Sequence, residues 1–157
     1  MVEKDYDLLL DQLLQEEHEL QFTQFTNKMA FDIGTRIVHK AEADGKSILV
    51  DIERNGQRLF HVAMEGKSLN NAQWVTRKNN VVRQFGHSSY YIANLLKSKK
   101  TTMMEWAFLD PNEYAAVGGA FPILVRQVGI IGTVTVSGLP QEEDHRLVTT
   151  VLKEFVS

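Results

Sequence analysis

A lysine set among aromatic residues is the feature of the sequence with the clearest chemical potential. Lys78 follows Trp74 by four residues and precedes Phe85 by seven, spacings that place all three side chains on one side of a helix. Aromatic walls around one fixed cation suit a small anionic ligand. The alternative is that the Lys78 stem lies along apolar surface while its ammonium reaches water. The sequence leaves both interpretations open.

The histidines are the next candidates for chemistry. There are five of them, and none has the spacing of a zinc site, so we predict no metal site. His61 lies in an alternating apolar segment, where a core histidine with one hydrogen bond is the favoured interpretation. His87 stands beside Ser88 and Ser89, which are typical helix caps, although His87 and Ser88 also remain candidate ligand contacts.

Two further pairs have a structural and a functional interpretation each. Gly118 and Gly119 could let a ligand approach the backbone, or could provide a bend into a crowded central strand. They are not a phosphate loop, because no Gly-Lys-Ser/Thr follows. Asp144 and His145 could be an acid/base pair. The favoured interpretation is that Asp144 and the glutamates before it interact with a helix N-terminus.

Two hairpins must position these residues. The segments 121–125 and 130–136 are apolar and rich in β-branched residues, as expected of central strands. Asn55-Gly56 predicts a two-residue turn between strands at 47–54 and 57–64. With that turn, Ile52 faces Leu59 and Val50 faces His61, so His61 is expected on the apolar face.

The remaining elements are mostly helices. A short strand is also predicted at 114–117, and the overall order α-α-β-β-α-α-β-β-β-α indicates an α+β fold with a largely antiparallel sheet covered by helices. The apolar periodicity and capping residues predict helices at 4–20, from Thr23 or Thr26 to 44, at 68–85, after Ser88 or Ser89, at 103–108 and at 140–155.

Composition excludes several classes of protein. The chain has 157 residues, which is one domain's length, and a net charge of −3, which argues against nucleic-acid binding. The absence of cysteine excludes thiol catalysis, disulfides and cysteine-ligated metals. There is no secretory h-region and no apolar run of membrane-spanning length, so we expect a soluble cytoplasmic protein that does not associate with membranes.

The N-terminal helix carries more apolar surface than a monomer of this size needs. Tyr6, Leu9, Leu10 and Leu13 recur at helical spacing among acidic residues and glutamines. Closed symmetric assemblies are the usual way to bury such a face. We therefore expect one domain over 1–157, with 1–22 as a helical extension, and a homo-oligomer that is at least a dimer.

Two segments of the C-terminal half carry a family resemblance. They read LDPNEYAAVGGAFPI at 109–123 and GIIGTVTVSGLPQEEDH at 129–145, and both resemble the GlcG/HbpS-like haem-degrading domain family. A branch of small bacterial and fungal members also shares Trp74, Arg77-Lys78, Phe85 and Ser88-Ser89. The resemblance extends from the second predicted helix to the end of the chain.

The resemblance implies a fold and a class of ligand. It implies a profilin-like fold, in which helices cover both faces of a five-stranded antiparallel sheet, and assembly into homo-oligomers. Some relatives bind haem or corrinoids, so haem is a cofactor implied by resemblance only. Histidine is the usual axial ligand of haem iron, which makes His61 and His87 the candidates.

Three functions follow as hypotheses. The first is an oligomeric module that binds a small ligand, either a tetrapyrrole or a small anion, through Trp74, Lys78, Phe85 and their neighbours. The second is an enzyme that performs acid/base chemistry on a small oxygenated metabolite, with Lys78 or His61 as the base. The third is an oligomeric scaffold whose N-terminal helix docks a partner protein.

Overall fold

The computed structural model describes residues 5–156. Residues 1–4, which belong to the N-terminal extension expected at 1–22, and residue 157 lie outside the described part. The described chain forms six helices and five strands: α1 Tyr6–Glu19, β1 Gln21–Phe22, α2 Asn27–Ala43, β2 Leu49–Arg54, β3 Gln57–Ala63, α3 Leu69–Phe85, α4 Ser89–Ser98, α5 Met103–Ala107, β4 Ala120–Val125, β5 Gly129–Ser137 and α6 Gln141–Phe155.

The five strands form one sheet in the order β1-β4-β5-β2-β3. All neighbouring strands are antiparallel except β1 and β4, which are parallel, so the predicted fully antiparallel sheet is wrong at this edge. The strand expected at 114–117 is also wrong, because the Ala115 N–H donates to the carbonyl of Arg77 on α3. The fifth strand is β1, whose two residues are too few to show a period in the sequence.

Helices cover both faces of the sheet, and the α+β prediction is confirmed. On one face, α2 and α6 enclose an apolar core that includes Ile33, Val50, Phe121 and Val136. The other face, toward α3, carries Leu49 and a row of buried polar side chains. The β5 side chains of Thr133, Thr135 and Ser137 alternate with the core valines and are buried under α3. A buried polar layer of this kind needs specific partners.

The register of the β2–β3 hairpin differs from the prediction. The turn at Asn55-Gly56 forms as expected, with positive φ at both residues. A β-bulge after Ile52 then shifts the pairing by one residue, so that Ile52 faces Phe60 and Asp51 faces His61. Since one residue of slip moves a side chain to the opposite face, the expected apolar environment of His61 is wrong.

Local signals place the helix ends correctly. The Thr26 hydroxyl accepts the Met29 N–H at 3.1 Å at the start of α2, and Gly86 ends α3 in the left-handed conformation. Gly34 within α2 is explained by close packing, because a Cβ at this position would overlap the Phe60 ring. Within residues 5–156, no helix has the length and apolar character needed to cross a bilayer.

Candidate functional site

Lys78 lies inside the protein. Its residue is 2% exposed, and its ammonium donates to the Val136 carbonyl at 3.0 Å and to Asp144 Oδ2 at 3.1 Å. The surface interpretation required the ammonium to reach water, and it does not. It forms a buried ion pair that joins α3 to α6.

Gly119 provides the space in which the Lys78 side chain of α3 reaches Asp144 of α6. α3 and α6 lie on opposite faces of the sheet, so the Lys78 side chain must pass the end of β4 to reach Asp144. A Cβ at Gly119 would lie 2.6 Å from Lys78 Nζ, and its φ of 137° is one that side-chain-bearing residues rarely adopt. At Gly118, a Cβ would lie 2.7 Å from the Tyr90 ring. Both glycines are needed for the approach of protein atoms, which is the structural interpretation.

Asp144 is the partner of Lys78, and the sequence does not predict this pairing. It lies in the first turn of α6, as expected, but is only 2% exposed, and its Oδ1 accepts the Leu139 N–H at 2.9 Å. Burial raises the pKa of Asp144 to about 6, although Lys78 offsets part of the effect. Burial also lowers the pKa of Lys78. Asp144 precedes Leu147 by three residues, so its place on the buried stripe of α6 could have revealed it.

The ion pair forms one wall of a cavity of about 230 Å³, which we call the Lys78 cavity. An ammonium has three N–H groups, and two of those on Lys78 have protein acceptors among the described residues. The third has no protein acceptor among those residues. The cavity is lined by Asn70, Asn71, Trp74, Lys78, Val117, Ser137, Gly138, Leu139 and Asp144.

A second cavity, which we call the Arg77 cavity, lies on the same face of α3. Asn70 and Trp74 line the Lys78 cavity, whereas Gln73 and Arg77 line the second, and the spacing of these four residues places them on one helix face. The Arg77 guanidinium, which lines the second cavity, stacks at 4.0 Å on the Trp74 ring, which lines the first. The Arg77 cavity measures about 710 Å³ and is lined by Gln73, Thr76, Arg77, Asn80, Asn112, Glu113 and Tyr114.

The structure brings together only part of the predicted site. Trp74 and Lys78 line one cavity, and Gly119 lies against the Lys78 ammonium. Phe85 is two helical turns, about 10.5 Å, farther along α3. It packs instead on Trp106, with ring centroids 5.1 Å apart.

His87 and Ser88 belong to the contact between α1 and α4. His87 Nδ1 lies 3.1 Å from a carboxylate oxygen of Glu17, and its ring packs against Tyr91. The hydrogen bond with Glu17 is the main reason that the pKa of His87 is raised. The Ser88 hydroxyl accepts the Tyr91 N–H at 3.1 Å, so Ser88 caps α4.

His61 is oriented by a buried carboxylate on the α3 side of the sheet. Its Nδ1 lies 2.8 Å from Asp51 Oδ1, which also accepts from Arg58 Nε at 2.8 Å. The His61 side chain remains 30% exposed, whereas that of Asp51 is 1% exposed. Such a carboxylate–histidine pair leaves Nε2 free to act as a base or as a metal ligand.

His145, the second member of the possible acid/base pair, is also buried. Its Nε2 lies 2.6 Å from Glu16 of α1, and its ring packs against Tyr90. It therefore does not form an acid/base pair with the adjacent Asp144, which points to Lys78. In the part of the chain that the structure describes, no cluster of three or more potential metal ligands is present.

The fold and the sequence both match known proteins. A family model described as "Haem degrading protein HbpS-like" matches residues 25–153, and the chain belongs to this family. A UPF0303 protein of Streptomyces coelicolor, SCO2848, is 44% identical over 92% of this chain and 92% of its own length. The resemblance noted in the sequence is thus confirmed.

Two solved structures extend the comparison. The crystal structure of Ybr137w is 35% identical, covers 99% of this chain and 96% of its own, and superposes with a TM-score of 0.86. The crystal structure of a PduOC:haem complex is 15% identical, covers 84% and 94%, and has a TM-score of 0.68, which shows a shared fold. The family match begins at residue 25, so α1 lies outside it.

Proposed function

We propose that the protein is a ligand-binding module that holds a small polar molecule in the Lys78 cavity. The observation that carries the proposal is the buried ion pair between Lys78 and Asp144 in the cavity wall. A cavity of about 230 Å³ lies just below the roughly 300–1,000 Å³ of pockets for drug-sized ligands, which favours a small metabolite.

The ion pair supports a binding role better than a purely stabilising one. Removing two charges from water costs several kcal/mol per ion, and well-packed apolar residues of similar volume often stabilise a protein as well or better. Perturbed pKa values of the kind found at Lys78 and Asp144 are concentrated at functional sites. The free N–H group of Lys78 and the Trp74 ring would then provide a donor and an apolar wall for the ligand.

Native mass spectrometry of protein purified without added ligand tests this proposal. We expect a co-purified molecule, or a bound compound from a panel of small carboxylates and amides, to dissociate from the Lys78→Met variant. Loss of a charge-assisted hydrogen bond should weaken binding by about 1.5–3 kcal/mol. Lys97→Met, at an exposed position on α4, is the matched control and should bind normally. Unchanged affinity in Lys78→Met would exclude the Lys78 cavity as the site.

Haem is the second candidate ligand, favoured by the family description and by the related haem complex. His61 has the chemistry of an axial ligand, because buried Asp51 orients it through Nδ1. However, neither the Lys78 cavity nor the Arg77 cavity is lined by His61 or His87. Within one chain, neither cavity combines a histidine donor with an enclosure, so the residues that line them do not fit an enclosed haem.

A haemin titration distinguishes the two ligands. A saturable Soret shift at one haem per chain, lost in His61→Ala and retained in His87→Ala, would support haem binding at His61. Featureless, non-saturating binding would exclude the tetrapyrrole.

The proposed module is a homo-oligomer, at least a dimer. Within residues 5–156, eight large apolar residues are more than one third exposed: Leu8, Leu14, Phe31, Leu69, Met104, Phe108, Val128 and Ile130. Phe108 is 85% exposed. Closed symmetric assemblies are the usual form of soluble oligomers, and an interface between subunits would cover such residues.

A further inference from the structure

The Lys78 cavity contains one positive and one negative side chain. Lys78 and Asp144 already neutralise each other, and the other seven lining residues are uncharged. An anionic ligand that binds beside Lys78 would place two negative charges around one buried ammonium. Like charges held this close in a buried site cannot both stay ionised without a large cost, and one of them takes up a proton.

Asp144 is the group able to take up that proton. It is buried, and its Oδ2 already shares the Lys78 ammonium that the ligand would approach. Its pKa of about 6 is close to neutrality before any ligand is bound. Once protonated, the Asp144 carboxyl becomes a donor and can bond to the incoming carboxylate.

Other titratable side chains near Asp144 come from the loop before α3 and from α6. From the loop before α3, Lys67 approaches Gly138, where its Nζ would lie 3.2 Å from a Cβ. On α6, Glu143 pairs with Lys46 at 2.8 Å. His145 pairs with Glu16 of α1 at 2.6 Å. Asp144 is thus the acid that faces Lys78 directly.

We propose that the ligand of the Lys78 cavity is a small monocarboxylate, which displaces Asp144 as the counterion of Lys78 while Asp144 takes up one proton from solvent. This rests on the proposed function and specifies its ligand class and its pH dependence. The balance is one carboxylate and one proton bound per site, with no covalent bond formed or broken.

The size and wall of the cavity suggest a suitable probe. Trp74, Val117 and Leu139 provide apolar surface beside the ion pair. An apolar cavity of about 150 Å³ can hold benzene, so about 230 Å³ accommodates a benzene ring with a carboxylate. Benzoate and benzamide have nearly the same shape and differ in charge, which makes them a matched pair.

Isothermal titration calorimetry in two buffers of different ionisation enthalpy measures the proton directly. For benzoate we expect uptake of about one proton per site at pH 7.5 and close to none at pH 5, because Asp144 is then already protonated. The apparent Kd should rise about tenfold per pH unit above pH 6. Benzamide should bind more weakly and without proton uptake.

Two variants complete the test. Asp144→Asn keeps an acceptor for the Leu139 N–H and removes the titrating group, so benzoate should bind more tightly and without proton uptake. Glu143→Gln, at the neighbouring position, should behave as wild type. If Asp144→Asn does not fold, the calorimetry of the wild type decides alone.

The outcomes separate the two proposals. Benzoate binding without proton uptake, or benzamide binding as tightly as benzoate, would overturn the proton-coupled carboxylate site and leave a ligand cavity in place. If no carboxylate and no amide of the panel binds, including benzoate, lactate, pyruvate and their amides, the proposed function itself is refuted.

Discussion

Replacing Lys78 by methionine should destabilise the protein in a way that depends on pH. The substitution keeps an apolar stem of similar length and removes the charge. Asp144 then remains buried without its counterion, while its hydrogen bond from the Leu139 N–H is retained. Removal of one partner from a buried ion pair costs about 3–5 kcal/mol when the other must stay charged. Asp144 can avoid part of this cost by taking up a proton.

The size of the effect follows from the pKa of Asp144. In the wild type this pKa is raised from 3.8 to about 6, so the stability associated with the protonated carboxyl is fully present below pH 3.8 and is lost as the pH rises through 6. Without Lys78 the pKa rises further, and the folded variant still binds a proton where the wild type has lost it. The difference in unfolding free energy should therefore grow by about 1.4 kcal/mol per pH unit above pH 6.

Urea unfolding at pH 6.0, 6.75 and 7.5, at one fixed protein concentration, measures this difference. Lys78→Met should lose about 2 kcal/mol more at pH 7.5 than at pH 6. The control Lys97→Met should stay within about 0.5 kcal/mol of wild type at each pH. In the double variant Lys78→Met/Asp144→Asn the pH dependence should disappear. A stability difference for Lys78→Met that does not change with pH would refute the proposed coupling of the two charges.

Three further results are expected. Gly119→Ala should lower the free energy of unfolding in urea by at least about 1–3 kcal/mol, since φ at this position is 137° and the added Cβ would meet the Lys78 ammonium. The control Gly45→Ala, where the Cβ would lie in open space, should cost less. Equal losses in the two variants would contradict the close packing at Gly119. The hydrogen bond with Glu17 raises the pKa of His87. The contribution of the His87–Glu17 pair to the docking of α1 is therefore fully present below pH 6.5, and it is lost as the pH rises through the pKa of His87 in the folded protein. Hydrogen-exchange protection factors of α1 amides should therefore fall over that range, and Glu17→Gln should abolish the change; protection that is unaffected by pH would exclude this role. Light scattering at micromolar concentration should give a multiple of 17.9 kDa, and a monomer mass would overturn the oligomer.

Local structure could be predicted from the sequence because its causes are local. Ser68 and Gly86 delimit α3 through a capping box and a left-handed C-terminal residue, and Thr26 caps α2 through its own hydroxyl. The turn at Asn55-Gly56 requires two residues with positive φ, which these residues tolerate. Each of these signals acts within a few residues along the chain.

The tertiary structure decided the register and the fifth strand. One bulge after Ile52 moved His61 from the expected apolar face to a carboxylate partner, Asp51. The extra residue of that bulge is Leu59 on β3, and a leucine within an alternating strand gives no signal of a bulge. The two-residue β1 exists only because β4 provides a parallel partner.

For the candidate site too, one part follows from the sequence and the other only from the tertiary structure. The sequence by itself determined that Trp74 and Lys78 share one face of a helix, since helical spacing is a local property. Only the tertiary structure decided that Lys78 is buried against Asp144, 66 residues farther along the chain. That contact requires α3 and α6 on opposite faces of the sheet, and a glycine at 119 where the lysine passes between them. Both the cost of removing the two charges from water and the strength of their attraction in the interior depend on the packing of the whole domain.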